Sequence, residues 1–377
     1  MFNENFKLGF GLMRLPLTDP ADAKSVDKEL LKQMVDEFIA AGGTYFDTAW
    51  MYHDFTSESV VKEVLVDRYP RESFTLTTKM QAMFFNSKEE REKIFEKQLE
   101  KTGAGYFDYY LLHALDHEIY ARNEKFDSFS WIMDKKEKGL AKHIGFSYHD
   151  DAELLDKILT DHPEFEFVQL QLNYLDWESN SIQSRLCCEV CEKHGKPIIV
   201  MEPVKGGTLT GLKKEASDVL KNMHPEWSEA SWALRFAMSQ KNVELVLSGM
   251  SDMDQMKDNL KTALDFKPLN DEENNAVRAV VNILNGTPGI PCTGCSYCTP
   301  GCPMSIPIPK CFALYNADVQ EVEGKGWTPQ IAYYNNLKFT GGMPEDCVEC
   351  GQCEGACPQH LPIIEHLKTV SGYFASK

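Results

Sequence analysis

Thr44-Tyr45-Phe46-Asp47-Thr48-Ala49-Trp50-Met51-Tyr52-His53 is a short apolar run that ends in a carboxylate, with a phenol five positions later. Two stretches downstream have the same form. Phe74-Thr75-Leu76-Thr77-Thr78 ends in Lys79, and Phe107-Asp108-Tyr109-Tyr110-Leu111-Leu112 ends in His113. Each polar residue stands where a β-strand is expected to stop. In a parallel barrel the ends of neighbouring strands meet on one face, and that face hosts chemistry. Asp47, Tyr52, Lys79 and His113 are therefore expected to converge, although they are far apart in the chain.

Outward from this stretch, residues Leu8 to about Leu264 alternate between strand and helix signals. Strands are predicted at Leu8–Leu12, Tyr45–Asp47, Phe74–Thr78, Phe107–Leu112, His143–Ser147, Phe167–Asn173, Pro197–Glu202 and Val243–Ser248. Helices are predicted at Val26–Ala41, near Ser57, and at Ser87–Lys101, Phe126–Lys138, Ala152–Leu159, Ser181–His194, Ser228–Ser239 and Met253–Leu264. The first of these shows helical spacing (Leu30, Leu31, Met34, Val35, Phe38) and stops at Gly42-Gly43. Strands separated by helices indicate parallel pairing. Eight such units indicate an α/β fold of the (β/α)8 TIM-barrel type. A doubly wound open sheet would carry a glycine fingerprint after its first strand; Gly9-Phe10-Gly11-Leu12-Met13-Arg14 lacks the third glycine. The glycines of that first strand predict a close backbone approach to a ligand.

The chain has 377 residues, enough for one large and one smaller domain. Its net charge of −18 disfavours a nucleic-acid partner, which needs a basic face. No apolar run approaches the ~20 residues that span a bilayer, and Met1 to Lys7 has no apolar signal core. A soluble cytoplasmic protein with no membrane partner is expected. Composition changes after Asn285, at the breaker-rich link Gly286-Thr287-Pro288-Gly289-Ile290-Pro291. Residues 1–285 are read as the barrel and 286–377 as a small, mainly α-helical, metal-stabilised domain.

The 12 cysteines are clustered, which in a cytosolic chain favours metal over disulfides. Cys292-x2-Cys295-x2-Cys298-x3-Cys302-Pro303 is one run, and Cys347-x2-Cys350-x2-Cys353-x3-Cys357-Pro358 is the other. Both match the ferredoxin pattern for [4Fe–4S] clusters, in which the cysteine before proline ligates the other run's cube. One cluster would take Cys292, Cys295, Cys298 and Cys357, and the other Cys347, Cys350, Cys353 and Cys302. Two structural zinc sites are the rival. The 44-residue spacer from Pro303 to Asp346, with helix-compatible Lys310–Val319, resembles the α-helical dicluster ferredoxins. Cys187, Cys188 and Cys191 read as buried small hydrophobes on a barrel helix. Cys311 reads as a structural thiol.

In the barrel, the four polar residues divide into roles. A phenol with a pKa near ~10 is a poor proton donor and acceptor near neutrality. A neighbouring ammonium favours the phenolate and lowers that value. Lys79 can supply the charge, Asp47 can orient Lys79, and His113 can hydrogen-bond a carbonyl oxygen. Taken singly, each has a structural reading: Asp47 a helix cap, Tyr52 a core aromatic, Lys79 a solvated charge, His113 a strand-end histidine.

Over roughly Phe6 to Leu264 the sequence resembles the aldo-keto reductase family. The matching pieces are Phe46-Asp47-Thr48-Ala49 with Tyr52, Thr78-Lys79, Leu111-Leu112-His113, Gly145-Phe146-Ser147 and Gln169-Leu170-Gln171-Leu172-Asn173. The whole chain resembles the branch carrying a C-terminal dicluster ferredoxin domain. The resemblance implies a nicotinamide-dependent carbonyl reductase or alcohol dehydrogenase with Tyr52 as proton donor. It implies that Ser147 and Gln169 hold the carboxamide and that Met201 faces the nicotinamide ring. It further implies that Val204-Lys205-Gly206-Gly207-Thr208 takes the pyrophosphate and that Gly249, Gln255 and Asn259 stand at the 2′-phosphate end. Several positions depart from the family. Tyr148 replaces the asparagine after Ser147, Met201 replaces a stacking tyrosine, and Gly249 and Gln255 stand where cations are usual. The cofactor is thus open between NADH, NADPH and another redox group.

Clusters pass single electrons and a nicotinamide passes a hydride. Three readings follow. The clusters brace a reductase, or a flavin near Arg14 converts between the two regimes, or the protein shuttles electrons to a partner protein and the barrel is a docking module. Arg14 has a structural alternative as a rim salt-bridge residue. The full set of four acid–base residue types favours an oxidoreductase acting on a small carbonyl or alcohol substrate. Met80–Asn86, with Met83, Phe84 and Phe85, reads either as an apolar substrate wall or as rim packing.

Overall fold

The computed structural model describes residues 6–179, 182–286, 289–292, 294–319 and 328–377. Strands β1 (Leu8–Gly11), β2 (Tyr45–Asp47), β3 (Thr75–Met80), β4 (Phe107–Leu115), β5 (Ala141–Tyr148), β6 (Phe167–Gln171), β7 (Ile198–Met201) and β8 (Val243–Gly249) close into a barrel in chain order. Every neighbouring pair is parallel, and β8 returns to β1. Both faces of each strand are covered, which is why the strands read as apolar runs rather than alternating ones. Tyr45, Tyr109, Leu111, Phe167, Ile199, Leu245 and Leu247 form a cluster of their own inside the sheet. Phe10, Phe46, Tyr110, Leu112 and Phe146 belong to the larger core shared with the helices.

Two glycines make room for that inner packing. A Cβ on Gly9 would lie 2.7 Å from Leu247 Cδ2 and 3.3 Å from the Tyr45 ring. Gly9 therefore serves core side chains, not the ligand approach expected of it. A Cβ on Gly145 would lie 2.6 Å from the ring of Phe167, its register partner on β6. Gly145→Ala should overpack the barrel by about 1–3 kcal/mol. A lowered melting temperature is the expected result; an unchanged one would mean that Phe167 turns aside freely.

Side chains at the helix starts decide the boundaries. Asp27, Ser87, Asp116, Asp151, Ser228 and Asp252 each accept from the backbone N–H three residues on. They open α1 (Lys28–Ala40), α3 (Lys88–Thr102), α4 (His117–Lys125), α6 (Ala152–Asp161), α9 (Glu229–Met238) and α10 (Met253–Leu264). The remaining barrel helices are α2 (Ser57–Val61), α5 (Ser128–Glu137), α7 (Ser184–Lys193), α8 (Lys214–Met223) and α11 (Asp271–Asn285). The helix expected over Phe126–Lys138 is α5, which opens after Asp127 at φ +55; a further helix not expected from the sequence, α4, capped by Asp116, precedes it. The helix near Ser57 runs on into a wider turn at Lys62–Val66. Helices α8 and α11 were not expected. The predicted helix start at Ser181 lies outside the described residues.

Strand ends also differ from expectation. β3 runs through Lys79 to Met80, and β4 runs through His113 to Leu115, with an irregularity after Leu112 and Ala114 at φ +55. Lys79 and His113 thus stand on the last strand residues rather than past them.

After the barrel come α12 (Ile308–Val319), α13 (Pro329–Thr340), α14 (Gln352–Ala356) and α15 (Ile363–Ala375). Residues 287, 288, 293 and 320–327 of the expected link, cysteine run and spacer lie outside the described residues. A second core of Ile306, Ile308, Phe312, Leu314, Leu337, Ile363, Leu367 and Val370 holds this region together. It docks on the barrel at the C-terminal ends of β4 and β5. Asn336 Nδ2 donates to Asp116 Oδ2 at 2.7 Å, Lys310 pairs with Asp150 at 3.1 Å, and His149 Nδ1 meets Tyr333 Oη at 2.8 Å. Among the described residues no helix is long and apolar enough to cross a membrane.

Candidate active site and cysteine centres

Asp47 ends β2 opposite Thr77, and Lys79 stands two residues further along β3, on the same face as Thr77. The Lys79 ammonium donates to Asp47 Oδ1, and to the carbonyl of Thr48 at 2.9 Å. Gln169 on β6 donates to the other carboxylate oxygen at 3.3 Å. Both charges are buried, so each needs the other; a buried ion without a partner costs several kcal/mol. The Tyr52 ring lies 5.1 Å from Lys79 Nζ and meets the His113 ring edge-on at 6.0 Å. Asp47, Tyr52, Lys79 and His113 are thus brought together, with Gln169 joined to them.

The electrostatics differ from expectation at Tyr52. Burial raises the phenol above its usual value, and Lys79 offsets that only in part. The expected net lowering by Lys79 does not hold, because desolvation of the phenolate is the larger effect. Burial opposes the charge on Lys79, but Asp47 and Tyr52 outweigh it and hold the ammonium above the usual lysine value. Burial, then the Lys79 charge, pushes His113 well below the usual histidine value, so its imidazole is neutral. His113 Nδ1 is buried and has no hydrogen-bond partner among the described residues.

Three supports carried no sequence signal. His53, Asp54 and Phe55 hold φ of 51°, 49° and 66°, a left-handed run that costs non-glycine residues about 1–2 kcal/mol each. The turn is pinned by His53, whose Nδ1 meets the Ala23 carbonyl at 2.9 Å and whose Nε2 accepts from Leu15 N at 3.3 Å. It fixes the direction in which Tyr52 leaves the chain. Behind β3, the buried Glu58 carboxylate accepts from Thr78, Gln98 and Lys101, and Gln98 also donates to the Lys79 carbonyl at 3.1 Å. The third is Glu202, just past β7, whose charge reaches Tyr52.

The expected cofactor residues separate. The Ser147 hydroxyl accepts from Ala114 N at 2.7 Å, beside His113. Met201 ends β7 opposite Gln171. Gly206 and Gly207 take φ of 61° and 98° in the turn Lys205–Thr210, conformations that need glycine. Lys205, in the same loop, is buried and paired with Asp176 at 2.8 Å. Gly249 lies under the Arg14 side chain, whose Cβ would be 3.2 Å from a Cβ there. Gln255 is occupied at its own helix start by Ser251 and Asp252. Asn259 is buried and donates to Ser248 Oγ at 2.8 Å. Arg14 pairs with Glu202 at 3.7 Å, the rim salt bridge of the two readings considered for it. Of the Met80–Asn86 aromatics, Phe85 is buried and Phe84 is exposed beside Phe55.

The cysteines ring two hollows. Cys292, Cys295, Cys298 and Cys357 line one; Cys302, Cys347, Cys350 and Cys353 line the other. Cys295 and Cys350 are exposed, whereas Cys187, Cys188, Cys191 and Cys311 are buried. Among the described residues no three His, Cys, Asp or Glu side chains converge to hold a single ion.

Comparison with known proteins extends these observations. Residues 7–282 match the model of the Aldo/keto reductase family, and residues 291–361 that of a 4Fe-4S dicluster domain. An uncharacterized oxidoreductase of Schizosaccharomyces pombe is 24% identical over 268 residues, 68% of this chain and 81% of that protein. The holo form of a Bacillus halodurans aldo-keto reductase superposes with a TM-score of 0.59 at 22% identity, covering 73% of this chain and 91% of the other. A Klebsiella pneumoniae aldo-keto reductase solved with NADPH gives 0.56 at 20%, covering 73% and 90%.

Proposed function

Because the chain belongs to the aldo/keto reductase family, we propose that it interconverts a carbonyl compound and an alcohol by hydride transfer, with Tyr52 as proton donor and two [4Fe–4S] clusters attached. The observation that carries this reading is the packing of Tyr52 against both the Lys79–Asp47 pair and His113. A phenol held above its usual pKa is protonated at neutral pH, which is the state a donor needs. Lys79 stabilises the phenolate left once the proton has gone to the substrate oxygen. Asp47 fixes Lys79, and the neutral His113 can donate one N–H to the same oxygen. The side reached by Ser147, Gln169 and Met201 suits a nicotinamide, which when bound supplies the hydride. Gly206 and Gly207 carry no side chain that would bar its pyrophosphate from the turn. Gly249 has no side chain to offer, and Gln255 and Asn259 are engaged locally, so none of these three positions grips a 2′-phosphate, and NADH is favoured.

For the small domain, which we bound at residues 286–377, each hollow is ringed by four thiols that do not close on a point. A single zinc would draw all four sulfurs to ~2.3 Å of one centre, whereas a cube spaces them apart. Two clusters, with the cysteine before each proline crossing over, fit this arrangement. The exposure of Cys295 and Cys350 suits electron exchange with a redox partner.

The test is anaerobic NADH or NADPH oxidation on adding simple aldehydes and ketones. Turnover should favour NADH by roughly tenfold or more in KM, the worth of a missing charge-assisted bond to phosphate. A like margin for NADPH would reverse the cofactor assignment. No turnover of any carbonyl with either would sink the reductase.

A further inference from the structure

Arg14 and Glu202 leave the barrel rim on either side of β8. Gly11 at the end of β1 pairs with both Asp47 and Gly249, so β1, from which Arg14 follows, ends level with Asp47. Arg14 then lies across Gly249 and reaches Glu202 past the end of β7. Both backbones are held. Ser251 Oγ donates to the Arg14 carbonyl at 2.8 Å; Asn173 Nδ2 donates to the Glu202 carbonyl at 3.2 Å. Glu202 itself sits at φ +56, a strained conformation for a non-glycine residue of the kind found at functional sites.

The side chains, by contrast, are loosely joined. Arg14 Nη2 and Glu202 Oε1 are 3.7 Å apart, too far for a hydrogen bond, and the Arg14 side chain is 40% exposed. Pairs of this kind are weak. Lys79 and Lys205, two other cations at this end of the barrel, are each buried against an aspartate. The guanidinium is therefore a cation held in place but readily taken over, and its fork suits a carboxylate or phosphate.

We propose that Arg14 and Glu202 form a latched anion site beside Tyr52: Glu202 parks the guanidinium over Gly249, and an anionic group entering the mouth replaces it. The group is either a carboxylate on the carbonyl substrate or a phosphate of the nucleotide. The site adds a substrate or cofactor contact to the reductase reading, but its binding does not depend on turnover.

Calorimetric titration of benzoate and of inorganic pyrophosphate into wild type, Arg14→Gln, Arg14→Lys and Glu202→Gln tests it. At least one anion should bind wild type. Arg14→Gln should weaken it by roughly 10- to 100-fold, the worth of one charged hydrogen-bonding group. Arg14→Lys should fall between, keeping charge without the fork, and Glu202→Gln should bind more tightly than wild type. A response to benzoate assigns the substrate, and one to pyrophosphate the nucleotide. Unaltered binding in Arg14→Gln, weaker binding in Glu202→Gln, or no binding to wild type would each overturn the latch. If the variants respond as expected while no carbonyl is turned over, the reductase reading fails and the anion site stands.

Discussion

Tyr52→Phe should lower kcat/KM for carbonyl reduction by about 10²–10⁴-fold, the range that a positioned proton donor supplies, with NADH affinity and iron content retained. The substitution is chosen because it removes one oxygen and little else. The ring that lies 5.1 Å from Lys79 remains, so the ammonium keeps its shielding, and the Asp47–Lys79 pair is untouched. Lys79→Met would be a poorer probe. It leaves the buried Asp47 carboxylate without a cation, at a cost of about 3–5 kcal/mol, so lost activity could reflect lost fold. The measurement is steady-state turnover of an aldehyde alongside melting temperature. A fully active, stable Tyr52→Phe enzyme would show that the proton comes from elsewhere, with His113 or water as the remaining donors.

What could be read from the sequence, and what could not, follows from how local each signal is. Strand runs are local, so Tyr45–Phe46 and Phe107–Leu112 announced themselves, and their end residues led to the site. Helix caps are local too, but α4 was hidden because Asp116 and His117 follow a strand that runs on past His113. Helix α11 has a local signal, since Asn270 and Glu273 form a capping box, whereas α8 opens without a side-chain cap. The sign of the Tyr52 shift was not legible at all. It depends on how much water the fold excludes, a three-dimensional quantity, set against a lysine whose presence alone was visible. Glu58 and Glu202 were missed for the same reason: a carboxylate reads as solvated until packing shows what it faces. Arg14 was noticed by position, yet its partner could not be named without the barrel closing β1 onto β8.

The cysteine pairing yields the second large effect. The double variant Cys353→Ala with Cys357→Ala should lose nearly all cluster iron, whereas Cys350→Ala with Cys353→Ala should keep about four of the roughly eight irons that two cubes hold. Cys353 and Cys357 are only four residues apart, so a run that bound its own cluster would place both on one cube. In the structure the two line different hollows. Cys353 lies on the short α14 and faces the hollow of Cys302, Cys347 and Cys350. The helix ends at Ala356, and Cys357, with extended φ and ψ of −78° and 114°, turns toward the hollow of Cys292, Cys295 and Cys298. Pro358 follows and cannot continue the helix. Removing Cys353 and Cys357 together thus strikes both sets, while removing Cys350 and Cys353 strikes one. The two doubles delete the same number of thiols, so a general loss of stability would move them alike. Equal iron in the two, at about four per chain, would mean that each run closes on its own cube. In the crossed arrangement either cluster alone would tie the two cysteine runs together through metal, so losing one cube would weaken this domain without releasing the runs from each other.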